Sequence, residues 1–170
     1  MPLPDLTPDC TNCDALCCVL LAFDRSSTFA HDKPACQPCR NLAGDNLCCI
    51  HADLDARGFS GCVRFDCHGA GQRITKTVFK GRSWRHDPSL MPAMDQAFRT
   101  LRRLHEALVL LQAATNLPLD QAQQATRTAL LETLSRPRDE AALQTTEPLT
   151  ALTQAADFFA SLRALTAPRR

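Results

Sequence analysis

No stretch of this sequence approaches the roughly 18 consecutive apolar residues that would suggest a membrane-spanning helix. Charge of either sign is not in excess: 19 Lys and Arg stand against 18 Asp and Glu, for a formal net charge of +1. The arginines are scattered rather than gathered, so there is no electrostatic footprint for nucleic acid or an anionic membrane. Residues 1–9 offer no basic start, no apolar run of signal-peptide length and no small-residue cleavage site, which points to a cytoplasmic protein. Tyrosine is absent, tryptophan occurs once, and no cysteine follows Cys67. Yet the chain holds 10 cysteines in 170 residues, all between Cys10 and Cys67. Hydrophobic content of 45% argues against wholesale disorder.

A reducing compartment turns a dense cysteine pattern toward metal rather than disulfides, although an even number would permit full pairing after export. The pattern opens as C-x2-C-x3-C-C at Cys10, Cys13, Cys17 and Cys18. It continues with Cys36-Gln-Pro-Cys39, Cys48-Cys49-Ile-His51, Cys62 and Cys67-His68. A C-x2-C turn presents two sulfurs to one ion at about 2.3 Å each. Two such pairs plus the downstream thiols exceed the four ligands of one tetrahedral zinc. Adjacent cysteines point in different directions, so Cys17 and Cys18 suit two metals, or one metal and the core, better than one ion. Cys36 and Cys49 are open to a reading as small core hydrophobes.

These residues resemble the CxxCxxCC cysteine-cluster family, whose members are described as zinc- or iron-chelating. The likeness is closer to the N-terminal region of some bacterial pentapeptide-repeat proteins. It rests on the cysteine run, Gly58-Phe-Ser-Gly-Cys62, Asp66 to Gln72, Phe79 to Arg85, and Leu104-His105-Glu106, and it covers roughly residues 8–112. Mapped position by position, the resemblance implies eight ligands: Cys10, Cys13, Cys17, Cys18, Cys39, Cys48, Cys62 and Cys67. Cys36 and Cys49 fall outside it. The opening has three residues before the Cys-Cys pair where the family usually has two, and no five-residue repeat array follows residue 91. Two four-cysteine zinc sites in a structural or interaction role are the leading expectation. Iron–sulfur clusters, which also take four cysteines each, are the alternative. An enzyme, metal- or thiol-dependent, is a further alternative, with His51, His68 and Asp66 as the placed acid–base candidates.

The expected fold is mainly α. A loop-rich cysteine region, residues 1–90, would pack on an antiparallel bundle of about three helices in residues 91–170. A short helix or buried strand is expected over residues 14–23, and a strand over residues 73–79 from its β-branched alternation. Helices are expected from Pro92 to the Asn116-Leu-Pro118 stop, from an Asp120 N-cap to Ser135-Arg136-Pro137, and from about Pro148. Their apolar stripes are Phe98, Leu101, Leu104, Leu108 and Leu111; Ala122, Ala125, Ala129, Leu130 and Leu134; and Leu149, Leu152, Ala156, Phe159 and Leu162. His105 reads as a packing residue, Trp84 as packed between solvated arginines, and residues 69–72 as a turn rather than a phosphate loop. A protein partner through the helical region is expected, with no membrane partner and nucleic acid disfavoured.

Overall fold

The computed structural model describes residues 3–166. The chain is mainly helical, and its only β-type pairings among the described residues are three isolated bridges. In order it forms α1 (Leu16–Leu20), α2 (Ser60–Arg64), α3 (Ala70–Arg73), α4 (Met91–Ala113), α5 (Gln121–Ser135), α6 (Glu140–Leu143), α7 (Glu147–Ser161) and a last turn, α8 (Arg163–Thr166).

The organising element is α4. The Asp87 side chain accepts from Ser89 N in the turn before it, and Pro92 occupies its first turn, where a missing N–H costs nothing. Met94, Ala97, Phe98, Leu101, Leu104, Leu108 and Leu111 recur on one broad face and are all buried. The helix packs against α1 and α3 from the cysteine region and against α5, α6 and α7 from the C-terminal region. One apolar cluster therefore runs from Ala15 to Leu162 across residue 90.

A reciprocal capping box opens α5: Asp120 accepts from Gln123 N while Gln123 accepts from Asp120 N. Only Leu130, Leu134 and Ser135 of α5 are buried; Ala122, Ala125 and Ala129 face solvent, so its stripe is confined to the last two turns. At its end Arg138 donates to the carbonyls of Thr133, Leu134 and Arg136. The same guanidinium donates to both Glu147 carboxylate oxygens at 2.9 Å, fastening the C-terminus of α5 to the start of α7. The inward face of α7 is Pro148, Ala151, Ala155 and Phe158, one position before the expected Leu149, Leu152, Ala156 and Phe159; Leu149 is 50% exposed, and of the expected stripe Leu162 alone is buried. Small alanines let α7 approach its neighbours closely, which a count of large apolar residues does not register.

Residues 73–79 are not a strand. α3 runs directly into a π-helical turn, Ile74–Val78. Ile74, Thr75, Val78 and Phe79 are buried together, a pairing of positions that belongs to a helix face rather than to alternation. Tertiary burial against α4 overrides the β-propensity of the threonines, isoleucine and valine. Gly69, in the left-handed region at φ +73°, does open a helix here, though one of a single turn.

Candidate metal centre

The first cysteine pair sits on a 3-10 turn, Cys10–Asn12, closed by Cys13 N donating to Cys10 O. Asp9 shapes this turn by accepting from Thr11 N, the Thr11 hydroxyl and Asn12 Nδ2. Those side-chain bonds hold its carboxyl below the ordinary aspartate range. The turn is tied to α3 through Gln72, which accepts from Asp9 N and donates to Thr7 O. Beyond Cys13 the chain is pinned from elsewhere: Asp14 N donates to the Thr75 hydroxyl and Trp84 Nε1 donates to Asp14 O. Trp84 is buried, with the Arg85 guanidinium 4.7 Å above its ring. Ala15, at φ 55°, then turns the chain into α1, which carries Cys17 and Cys18.

Cys67 reaches the same place from the other direction. Its carbonyl accepts from Ala70 N, and His68 N donates to Asp66 Oδ1. His105 of α4, only 1% exposed, makes a 2.5 Å hydrogen bond from Nδ1 to His68 O. A carbonyl only accepts, so Nδ1 carries the proton; burial, the largest influence, pushes the imidazole pKa down to about 4. His105 Nε2 is buried without a protein partner. Gly71 lies beneath this convergence: a Cβ built there would stand 2.6 Å from Cys13 Sγ and 3.9 Å from Cys67 Sγ. Any larger residue would fill the space the two sulfurs occupy.

A second convergence forms beside Cys18. Cys39 N donates to Cys18 O, Leu42 N donates to Cys39 O, and Leu42 bridges Cys48. Cys62 is carried by α2. Lys33 lies alongside, 4% exposed, with Nζ donating to the carbonyls of Val19, Leu21 and Pro34. It thereby satisfies carbonyls at the end of α1 that the helix leaves without partners.

The thiols influence one another electrically. Burial pushes Cys13 up to about 11, with further upward pressure from Cys67 and Cys10. Cys62 is also pushed up to about 11 by burial, with Cys18, Cys39 and Cys48 adding to it. Cys10 and Cys48 rise for the same first reason, Cys10 with Cys67 and Cys18 nearby, Cys48 with Cys18 and Cys39 nearby. The Cys17 and Cys18 sulfurs are 3.9 Å apart. Cys17 is driven up by its hydrogen bond to Cys18, while Cys18 falls to about 7 through that bond, helped by Lys33. Cys18 apart, these crowded, buried thiols are held toward the neutral form.

All ten cysteines are free thiols. Among the described residues, no group of three or more Cys, His, Asp or Glu side chains already stands in ligating geometry. What the structure brings together is the Cys13 and Cys67 sulfurs over Gly71, and Cys39 and Cys48 next to Cys18 through backbone contacts. Of the two cysteines outside the implied set, Cys36 is half-buried against the core, whereas Cys49 is exposed and so is not a core hydrophobe. Of the acid–base candidates, His51 is exposed, and Asp66 and His68 form a pair at 3.4 Å. Sequence reasoning missed Lys33 and Gly71, whose roles no spacing marks. It also missed the loop-anchoring bond of His105.

Fold and site thus define a mainly helical protein with a cysteine-dense face. Among curated proteins, this chain is similar to "Uncharacterized protein YybG" of Bacillus subtilis (strain 168), 40% identical over 115 residues. That match covers 68% of this chain and 41% of the relative, so the chain spans less than half of the relative's length. No protein-family model matches the chain. No solved structure matches it.

Proposed function

We propose that this protein binds metal through two sets of four cysteine thiolates, with zinc as the metal and a structural or interaction role for the module. The observation that supports the reading is the gathering of thiols around α1: the Cys13 and Cys67 sulfurs converge over Gly71, and the Cys39 N–H bonds the Cys18 carbonyl. In this reading the cysteine region is a cytoplasmic, metal-stapled unit of the CxxCxxCC type, docked on a bundle of α4, α5 and α7. The helical region would present the surface for a protein partner. Zinc supplies no redox chemistry; it fixes geometry and adds folding free energy.

The test is anaerobic purification of the full chain followed by metal and acid-labile sulfide analysis. About two zinc ions per chain and no sulfide are expected from two four-thiolate sites. Iron with sulfide would replace zinc by clusters. A chain that holds no metal after anaerobic reconstitution overturns the reading.

A further inference from the structure

We propose that the eight thiols divide as Cys10, Cys13, Cys17 and Cys67 around one ion and Cys18, Cys39, Cys48 and Cys62 around the other, with Lys33 as the buried counter-charge of the second. This rests on the metal-binding reading above and assigns what that reading leaves open.

The division falls between two adjacent residues of α1. Neighbours on a helix point about 100° apart, so Cys17 and Cys18 present to adjoining flanks of the same turn, each beside a different group of thiols. On the Cys17 side lie the Cys10–Asn12 turn and the α3 N-terminus, joined by Gln72, with the Cys13 and Cys67 sulfurs meeting over Gly71. On the Cys18 side, the Cys39 N–H bonds the Cys18 carbonyl and the Leu42 bridge returns Cys48 to the same place. The electrostatic neighbours sort alike. Cys10 and Cys13 share Cys67, whereas Cys48 and Cys62 share Cys18 and Cys39. The influences that cross the division all run through Cys17 and Cys18, and their sulfurs are nearly in contact.

Lys33 adds an argument independent of spacing. A buried ammonium is expensive unless a negative charge faces it. Among the described residues Lys33 has no carboxylate within ion-pair distance. Its hydrogen bonds go to three carbonyls, and the thiols near enough to act on it are Cys39, Cys18, Cys36 and Cys17. Four thiolates around a divalent ion leave a net negative centre, which such an ammonium offsets. Among the described residues the first set has no comparable buried lysine, so the two sites differ in charge compensation.

Native mass spectrometry of the zinc-loaded full chain tests the division with paired substitutions. Cys13→Ser/Cys67→Ser and Cys39→Ser/Cys62→Ser should each lose one ion and keep one, whereas Cys67→Ser/Cys62→Ser should lose both. A within-set pair that loses both ions, or the cross-set pair that loses only one, overturns the division. Wild-type protein loaded with cadmium gives the same answer without any substitution. Proton–cadmium correlations should connect each of two resonances to the cysteines of one set only, and a resonance reached from both sets refutes the assignment. Lys33→Met, placed in the Cys13→Ser/Cys67→Ser background, should loosen the remaining ion about tenfold in chelator competition. In the Cys39→Ser/Cys62→Ser background the same change should leave the remaining ion unaffected; equal effects in both would remove Lys33 from the second site. If wild type binds no ion at all, the metal-binding reading fails first, and the two failures are thereby distinguished.

Discussion

Residues 21–66 and residues 91–162 are held together by different means. In the first stretch only Lys33, Leu54 and Phe59 are buried, and neither of the two apolar ones belongs to the main apolar cluster. What organisation it has comes from backbone turns and a small aromatic group in which Phe23 stacks on Phe29 and His31 and Phe59 meet them edge-on. In the second stretch α4 alone buries nine residues, and α5, α6 and α7 close over it. A segment with so little apolar burial cannot offset its conformational entropy from packing, whereas the helical stretch can. The difference locates where an external ligand would matter for folding and where it would not.

The strongest way to break that comparison is to remove metal from the loaded protein with a chelator. Structural four-cysteine zinc sites contribute on the order of 10 kcal/mol to the folding of small domains. Chelation should therefore open residues 21–66 to protease cleavage and to rapid amide exchange, while the α4, α5 and α7 amides keep most of their protection. Protection that survives unchanged in residues 21–66 would mean that the stretch is held by its turns and aromatic group alone.

The converse experiment is Leu108→Ala, in the fully buried seam of α4. Loss of a buried leucine with a cavity left behind costs about 3 kcal/mol. Denaturant unfolding followed by helical circular dichroism should show that loss, while zinc stoichiometry stays at the wild-type value. Loss of metal together with helix stability would mean that the two stretches unfold as one unit, which the continuous apolar cluster across residue 90 makes a meaningful outcome.

The helical stretch was legible because its boundary chemistry is local. Pro92, the Asp120 N-cap and Pro148 each mark a helix start at or beside the first residues of that helix. The α4 stripe was legible as well, since Phe98, Leu101, Leu104, Leu108 and Leu111 repeat at helical steps and all face inward. Faces lined by alanine were not. Ala151 and Ala155 are buried because they are small, while Leu149 is left half-exposed beside them. At residues 73–79, β-branched side chains concealed a helix whose burial depends on α4, which is remote in sequence. In the cysteine stretch the two-residue gaps did announce turns, and Cys10 to Cys13 is one. Lys33 and Gly71 were invisible for a common reason: each acts on groups that only the folded chain brings near.

The smallest expected effect concerns the junction of α5 and α7. Arg138 is buried, and three backbone carbonyls as well as Glu147 depend on it. Arg138→Met leaves those carbonyls short of donors and should cost about 2 kcal/mol. Glu147→Gln removes only the charge. Because the Glu147 side chain is 49% exposed, solvent screening limits that cost to about 0.5 kcal/mol or less. The two substitutions should also differ in their response to pH. The Arg138 hydrogen bonds lower the Glu147 pKa from its ordinary value of 4.5. A carboxylate whose folded pKa is depressed contributes its full stability above the ordinary value and loses it as pH falls through the folded one. The Glu147→Gln penalty, read as the difference from wild type in urea unfolding of the helices, should therefore be present at neutral pH and vanish on acidification below that range. The Arg138→Met penalty should largely persist, because carbonyl oxygens do not titrate. Equal pH dependence in both would assign the role of Arg138 to the ion pair and not to the helix end it caps.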